Sequence, residues 1–140
     1  MTRRFLVVTT LLLALVVAAC SGSSATPVPV SGTSWVMTGF EGLMGAGFED
    51  LPTSGVTLSF GTDGSVNGKG ACNTFNGSYA TDGDKLKISG LSSTMMACPG
   101  DLGSWENAYF TFLQDSPKYS VGGDTLTLEG ASTKVTYKQS

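Results

Sequence analysis

Short runs of alternating apolar and polar residues, most of them bounded by Gly, Pro, Asp or Asn, set the strongest limit on what this chain can fold into. They are Ser34–Met37, Val56–Phe60, Ser65–Gly68, Gly77–Ala80, Lys85–Ile88, Tyr119–Val121, Asp124–Leu128 and Lys134–Tyr137. A period of two sends successive side chains to opposite faces, so each run can bury one face and wet the other. Asp63-Gly64, Asp82-Gly83-Asp84 and Gly122-Gly123 stand between neighbouring runs as hairpin signals. Strands this short at such regular spacing predict a mainly β protein, a small antiparallel barrel or a curled sheet. Closure would also remove the exposed edges that invite aggregation.

One segment breaks the pattern. Leu102, Trp105, Tyr109, Phe112 and Leu113 fall at helical spacing, with Asp101 or Ser104 placed to cap the start and Pro117 beyond the end. The spacing predicts a single amphipathic α-helix of about 12 residues laying an aromatic face on the sheet. Residues 39–55 contain several glycines together with Leu43, Met44 and Phe48, and read as a long irregular connection. Connections of that length are either functional or mobile.

The chain opens with Arg3 and Arg4, an uncharged run from Phe5 to Ala19, and small residues before Cys20, the order of a secretory signal. The run is about 15 residues, short of the roughly 20 that a membrane-crossing helix needs. Val17-Ala18-Ala19-Cys20 resembles a lipobox, in which the cysteine receives diacylglycerol and becomes the new N-terminus. Ordinary signal cleavage would also accept Val17 and Ala19. The small, polar, proline-containing stretch that follows has linker composition and fits the lipid reading. The expected organisation is therefore a signal at 1–19, a lipidated tether at 20–32 and one domain at 33–140.

Loss of the signal reduces the 8 basic residues to 6 lysines against 11 acidic residues, a formal charge of −5. An acidic, arginine-free domain is a poor ligand for phosphate backbones, so no nucleic-acid partner is expected. With Cys20 assigned to lipid, Cys72 and Cys98 remain. In an oxidising compartment a disulfide is the natural pairing, with two buried free thiols as the other reading.

Catalytic chemistry finds little to use. The chain has no histidine, which excludes the Ser-His-Asp and Cys-His arrangements and the commonest general base. No Ser-x-x-Lys lies in the mature part, and Lys69, Lys85 and Lys87 fall on solvent-facing strand positions. Asp82 and Asp84 sit in a turn, where Asp bonds the local backbone, rather than as a catalytic pair. Asp63-Gly64-Ser65-Val66-Asn67-Gly68 begins like a calcium loop but has Thr74 where the bidentate Glu belongs. Gly42-Leu43-Met44-Gly45-Ala46-Gly47 lacks the lysine of a phosphate loop. No metal and no cofactor are expected.

Three segments carry a resemblance: Gly70-Ala71-Cys72-Asn73-Thr74-Phe75-Asn76-Gly77-Ser78-Tyr79, then Leu91-Ser92-Ser93-Thr94-Met95-Met96-Ala97-Cys98-Pro99, then Glu106 in the aromatic helix. Together with Gly32-Thr33-Ser34-Trp35 at the start, they resemble the META domain of HslJ-type bacterial lipoproteins over about residues 32–139. The resemblance implies a small lipocalin-like antiparallel β-barrel with one helix, an envelope location and, in some relatives, links to heat or antibiotic stress. It implies no catalytic residues. Arg often stands in such domains where this chain has Met95. Gly70 and Gly77 read as backbone freedom at a turn or bulge, and Asn73 as a local main-chain binder.

The function expected from these readings is a non-enzymatic, lipid-anchored envelope module that binds an envelope protein or a cell-wall partner. In a cell with two membranes it would face the periplasm from the outer membrane; otherwise it would sit on the outer face of the cell membrane. The alternative is a carrier whose interior, lined by Trp35, Phe60 and Phe75, holds a small apolar ligand.

Overall fold

A computed structural model describes residues 29–42 and 53–140. The strands are β1 (Ser34–Glu41), β2 (Thr57–Phe60), β3 (Ser65–Lys69), β4 (Thr74–Asp82), β5 (Lys85–Ser93), β6 (Lys118–Gly122), β7 (Thr125–Glu129) and β8 (Lys134–Gln139), with one helix, α1 (Leu102–Gln114), between β5 and β6. Each strand pairs with the next and β8 returns to β1, so the sheet closes into an antiparallel barrel. The mainly β fold with a single helix is as the alternation predicts.

The period-two faces turn inward as expected. Trp35 and Met37 of β1, Leu58 and Phe60 of β2, Val66 of β3, Phe75 of β4, Leu86 and Ile88 of β5, and Leu126 and Leu128 of β7 are all buried. Burying a side chain of this size stabilises the fold by about 1.5–3 kcal/mol, less the entropy of ordering it. Gly68 stands on the inward face opposite Phe75. A Cβ there would lie 2.8 Å from the Phe75 ring, so the missing side chain is what lets the ring lie across β3.

Several boundaries differ from the sequence expectation. Residues Gly39–Glu41 belong to β1, where they pair with Val135, Thr136 and Lys134 of β8 around a bulge, and not to a long connection. Leu43, Met44 and Phe48 lie outside the described residues. The β6–β7 turn is Gly123-Asp124, one place later than Gly122-Gly123, because Gly122 still pairs with Thr125. Val30 is buried in the core and Gly32 N–H donates to the Phe60 carbonyl at 2.8 Å, so the folded part begins before Thr33.

Helix α1 follows its aromatic stripe. Trp105, Tyr109, Phe110, Phe112 and Leu113 are buried, while Ser104, Asn107 and Thr111 are exposed. Asp101 occupies the N-cap position but makes no side-chain cap bond. At the other end Pro117 cannot continue the helix, and Ser116 turns the chain at φ 55°, the left-handed conformation usually taken by glycine at this place. The buried face lies across the end of the barrel. Trp105 stacks on Tyr109 at 5.4 Å and meets the edge of Phe40 at 5.3 Å, and Phe110 meets Phe75 at 5.2 Å. The Tyr109 and Tyr137 hydroxyls bond to each other at 3.0 Å inside. Trp105 Nε1 is buried without a hydrogen-bond partner among the described residues. Ring closure is thin beside the helix: β6 meets β5 in register only at Lys85↔Lys118, and α1 packs against β5.

Two outcomes follow. Ser116→Gly removes the left-handed strain and should raise stability by about 1 kcal/mol, read as a shift of the denaturant midpoint at constant slope. Burial pushes the Tyr109 hydroxyl well above its ordinary value, against a smaller lowering by the bond to Tyr137, and burial likewise pushes Tyr137 up. Folding therefore favours the protonated pair. Stability is whole below about pH 10, where the unfolded chain also keeps these protons, and is lost as pH rises from there through the raised folded values. Phenolate absorbance from Tyr109 and Tyr137 should appear only as the chain unfolds, and Tyr137→Phe should remove part of that alkaline loss.

Candidate functional site

The residues shared by the three sequence segments meet at the barrel end that α1 covers. Glu106 stands one place after Trp105 on α1 and is buried, with 3% of its surface exposed. A buried carboxylate is costly unless donors surround it. Here Oε2 accepts the main-chain N–H of Cys72 at 2.8 Å and of Asn73 at 2.7 Å, and Oε1 accepts Asn73 Nδ2 at 2.6 Å. Bonds of this charge-assisted kind are roughly twice as strong as neutral ones.

The turn between β3 and β4 is shaped for this. Gly70 N–H donates to the Asn73 carbonyl at 2.7 Å and closes the turn, which leaves the next N–H groups pointing at α1. A Cβ on Gly70 would collide with Glu106 Oε2. Gly70 thus serves by making room, and its φ is not in the left-handed range. Gly77 sits at the β4 bulge between Asn76 and Ser78, where a Cβ would come 2.9 Å from the Ser89 carbonyl oxygen. The expectation of backbone freedom at these glycines is replaced by one of space.

Asn73 extends the network to the segment after β5. Its Oδ1 accepts Thr94 Oγ1 and the Met96 N–H, both at 2.8 Å, and its Nδ2 approaches Cys98 Sγ at 3.4 Å. Cys72 and Cys98 form a disulfide with their Cα atoms 5.9 Å apart. The polar network therefore joins one turn, one extended segment and one helix, and the covalent bond joins the turn and the segment a second time.

The other residues singled out by sequence are not gathered here. Cys20 lies outside the described residues. Lys69, Lys85 and Lys87 are exposed. Asp82 pairs with Lys87 at 2.7 Å and Asp84 with Lys118 at 3.2 Å, both on the surface, where such pairs contribute little. Asp63 Oδ1 is taken by the Ser65 N–H and hydroxyl, which hold its carboxyl below the usual range, as a turn requires. Trp35, Phe60 and Phe75 are core: Trp35 Nε1 donates to Thr33 Oγ1 at 2.7 Å, Phe60 packs on Tyr79, and Phe75 packs on Phe110. Among the described residues no group of acidic, Cys or His side chains could hold a metal ion.

Sequence reasoning missed a groove on the outer side of α1. It has a volume of about 1180 Å³ and is lined by the exposed face of the helix, by Pro117 and Lys118, and by the Gly130–Thr133 loop between β7 and β8. No local pattern signals it, because its walls are far apart in the chain.

The META domain family model matches residues 28–140. The chain belongs to the META domain family. Solved structures share the fold. A protein from Burkholderia xenovorans, solved by NMR, is 26% identical over 79% of this chain and 83% of its own, with a TM-score of 0.61. A second protein solved by NMR is 25% identical over 76% of this chain and 88% of its own, with a TM-score of 0.59. A DUF4847 family protein from Bacteroides vulgatus, in a crystal structure at 1.00 Å resolution, shares the fold alone: 16% identity, 76% of this chain, 92% of its own and a TM-score of 0.54. No curated protein matches the chain. The META motif now has a physical content, since its Gly70, Asn73, Thr94, Cys98 and Glu106 meet in one network that has a buried centre at Asn73 and Glu106 and reaches the surface at Thr94.

Replacing Glu106 by Gln puts an amide N–H₂ where a donor already points. Glu106→Gln should cost about 2–3 kcal/mol of stability by denaturant titration, and the Cys72–Cys98 bond should keep the variant folded at room temperature.

Proposed function

We propose that this META domain is a lipid-anchored module of a bacterial cell envelope, without catalytic activity of its own, that engages an envelope protein or cell-wall partner through the α1 end of its barrel. The observation that carries this reading is the polarity of the domain. The chain enters at Val30–Thr33, bonded to the Phe60 end of β2, and β3 then runs from that end to the Gly70–Asn73 turn under α1. The two ends are separated by the length of β3, about 17 Å for five residues. A lipid on Cys20 would hold the entry end toward the membrane and present the helix, its groove and the Thr94–Pro99 segment outward. Anchoring to the outer membrane facing the periplasm, or to the outer face of the only membrane, fits equally.

The absence of turnover is supported by where the acids go. Glu106 has its oxygens taken by the Cys72 and Asn73 N–H groups and by Asn73 Nδ2, Asp82, Asp84 and Asp124 pair with lysines, and Asp63 is held by Ser65. The carrier alternative draws no support from the interior, since Trp35, Phe60 and Phe75 are buried, Phe60 packs on Tyr79 and Phe75 on Phe110, and α1 lies across the opening.

Cys20→Ala should abolish incorporation of labelled fatty acid and move the protein from the membrane to the soluble fraction; unchanged fractionation would refute the anchor. A photo-crosslinking residue at Asn107, in the groove, should trap a defined adduct in intact cells, whereas one at exposed Asp63, at the entry end, should not. Turnover of glycan, ester or peptide substrates by the purified protein, lost on replacing one carboxylate, would overturn the non-enzymatic reading.

A further inference from the structure

The segment after β5 is fixed by its main chain, the Thr94 hydroxyl and the Cys98 disulfide, and leaves the side chains of Met95 and Met96 outside. Thr94 N–H donates to the Thr74 carbonyl at 3.0 Å, Met96 N–H to Asn73 Oδ1 at 2.8 Å, and Cys98 is bonded to Cys72. None of these ties uses the thioethers of Met95 and Met96. Met95 is 96% exposed and Met96 59%, while Met37, in the barrel, is 2% exposed. An exposed pair of large apolar side chains on a braced loop is unusual here, since the other large apolar residues among the described ones are buried or half-buried.

Sulfur chemistry gives the pair a use. Cys72 and Cys98 are already oxidised to each other, so Met95 and Met96 carry the reduced sulfur at the surface among the described residues. Thioethers react with two-electron oxidants to give sulfoxides, and access decides which methionine reacts. We propose that Met95 and Met96 form a sulfoxidation site, at which oxidants of the peroxide or hypohalous-acid class are consumed without unfolding the domain. With a peroxide, a sulfur lone pair attacks the terminal oxygen, the O–O bond breaks, and the departing oxygen takes up the proton as an S–O bond forms. Sulfur is oxidised by two electrons and the peroxide is reduced to water or an alcohol. With hypochlorous acid the balance is one oxygen transferred to sulfur and one chloride and one proton released.

The decoupling from folding follows from the same geometry. A sulfoxide at Met95 or Met96 gains a polar oxygen in water and disturbs none of the bonds to Asn73, which are made by the Met96 N–H and the Thr94 hydroxyl and not by a thioether. At Met37 that oxygen would have to be buried in an apolar core. Oxidation thus turns an apolar patch beside α1 into a polar one. Any effect on a docked partner rests on the function proposed above, whereas the sulfoxidation itself does not.

The test treats the purified full chain with increasing hydrogen peroxide or hypochlorous acid and maps oxygen addition by peptide mass analysis. Expected are complete conversion of Met95 and Met96 before Met37 takes up oxygen, an unchanged melting temperature over that range, and reversal by a mixture of the two stereospecific methionine sulfoxide reductases. Met95→Leu with Met96→Leu should remove this fast-reacting fraction and leave the circular dichroism spectrum unchanged. Conversion of Met37 in step with Met95 and Met96, or a melting temperature that falls as they are oxidised, would overturn the proposal.

Discussion

The helix end of the barrel depends on one buried carboxylate. Glu106 brings a negative charge out of water and is compensated by three N–H groups, two of them from consecutive residues of the turn that follows β3. Main-chain donors can do this only if the turn aims successive N–H groups the same way and nothing stands between them and the acid. Gly70 meets the second condition by having no side chain. Asn73 then carries the interaction on, donating to Glu106 while accepting from Thr94 and Met96, so the acid organises residues it does not touch. A half-satisfied network of this kind would be worse than an apolar contact, which is why its members act as a set.

The remainder of the end follows from that tie. With the Thr94–Cys98 segment fixed to the β3–β4 turn, α1 begins a few residues later at a defined place, and its aromatic row is directed across the barrel opening. The helix is also what stands beside the weakest joint of the ring. Strands β5 and β6 share a single register pair because the chain leaves β5 to build α1 before returning at Lys118. Closure there rests on two backbone bonds, from Leu86 N–H to the Pro117 carbonyl at 2.9 Å and from Tyr119 N–H to the Asp84 carbonyl at 2.7 Å, with α1 packed against β5 beside them. The disulfide bridges the same two segments as Asn73, so the join is made both covalently and by hydrogen bonds.

The strands were legible because alternation is a local signal: every run from Ser34–Met37 to Lys134–Tyr137 falls in a strand, save Val56 and Asp124 at the edges of theirs. Their ends were not, since Thr74–Asn76 and Ser89–Ser93 are held by pairing between β4 and β5 and carry mostly polar side chains that no hydrophobic pattern marks. Val30 was hidden for the opposite reason, as a lone apolar residue in a stretch that reads as linker, buried only because Gly32 bonds to β2. The site was half legible. Family resemblance pointed to Gly70, Asn73, Cys72, Cys98 and Glu106, but Glu106 and its donors are 33 and 34 positions apart, and nothing in the order of residues says that they touch. The opposite error, expecting conformational freedom from Gly70, arose because a sequence shows that a side chain is missing and not what fills its place.

A barrel of eight strands encloses a space that side chains can fill, and whether it holds a ligand depends on what its open end admits. Here that end is shut by Trp105, Tyr109 and Phe110, and the deepest polar contact, between Tyr109 and Tyr137, is made by the protein with itself. Opening it would require withdrawing α1, which would expose those rings and strip the donors from Glu106 at the same moment. The two penalties are coupled because Trp105 and Glu106 are adjacent on one helix. The α1 end is also where a firmly held backbone, a groove and exposed side chains occur together.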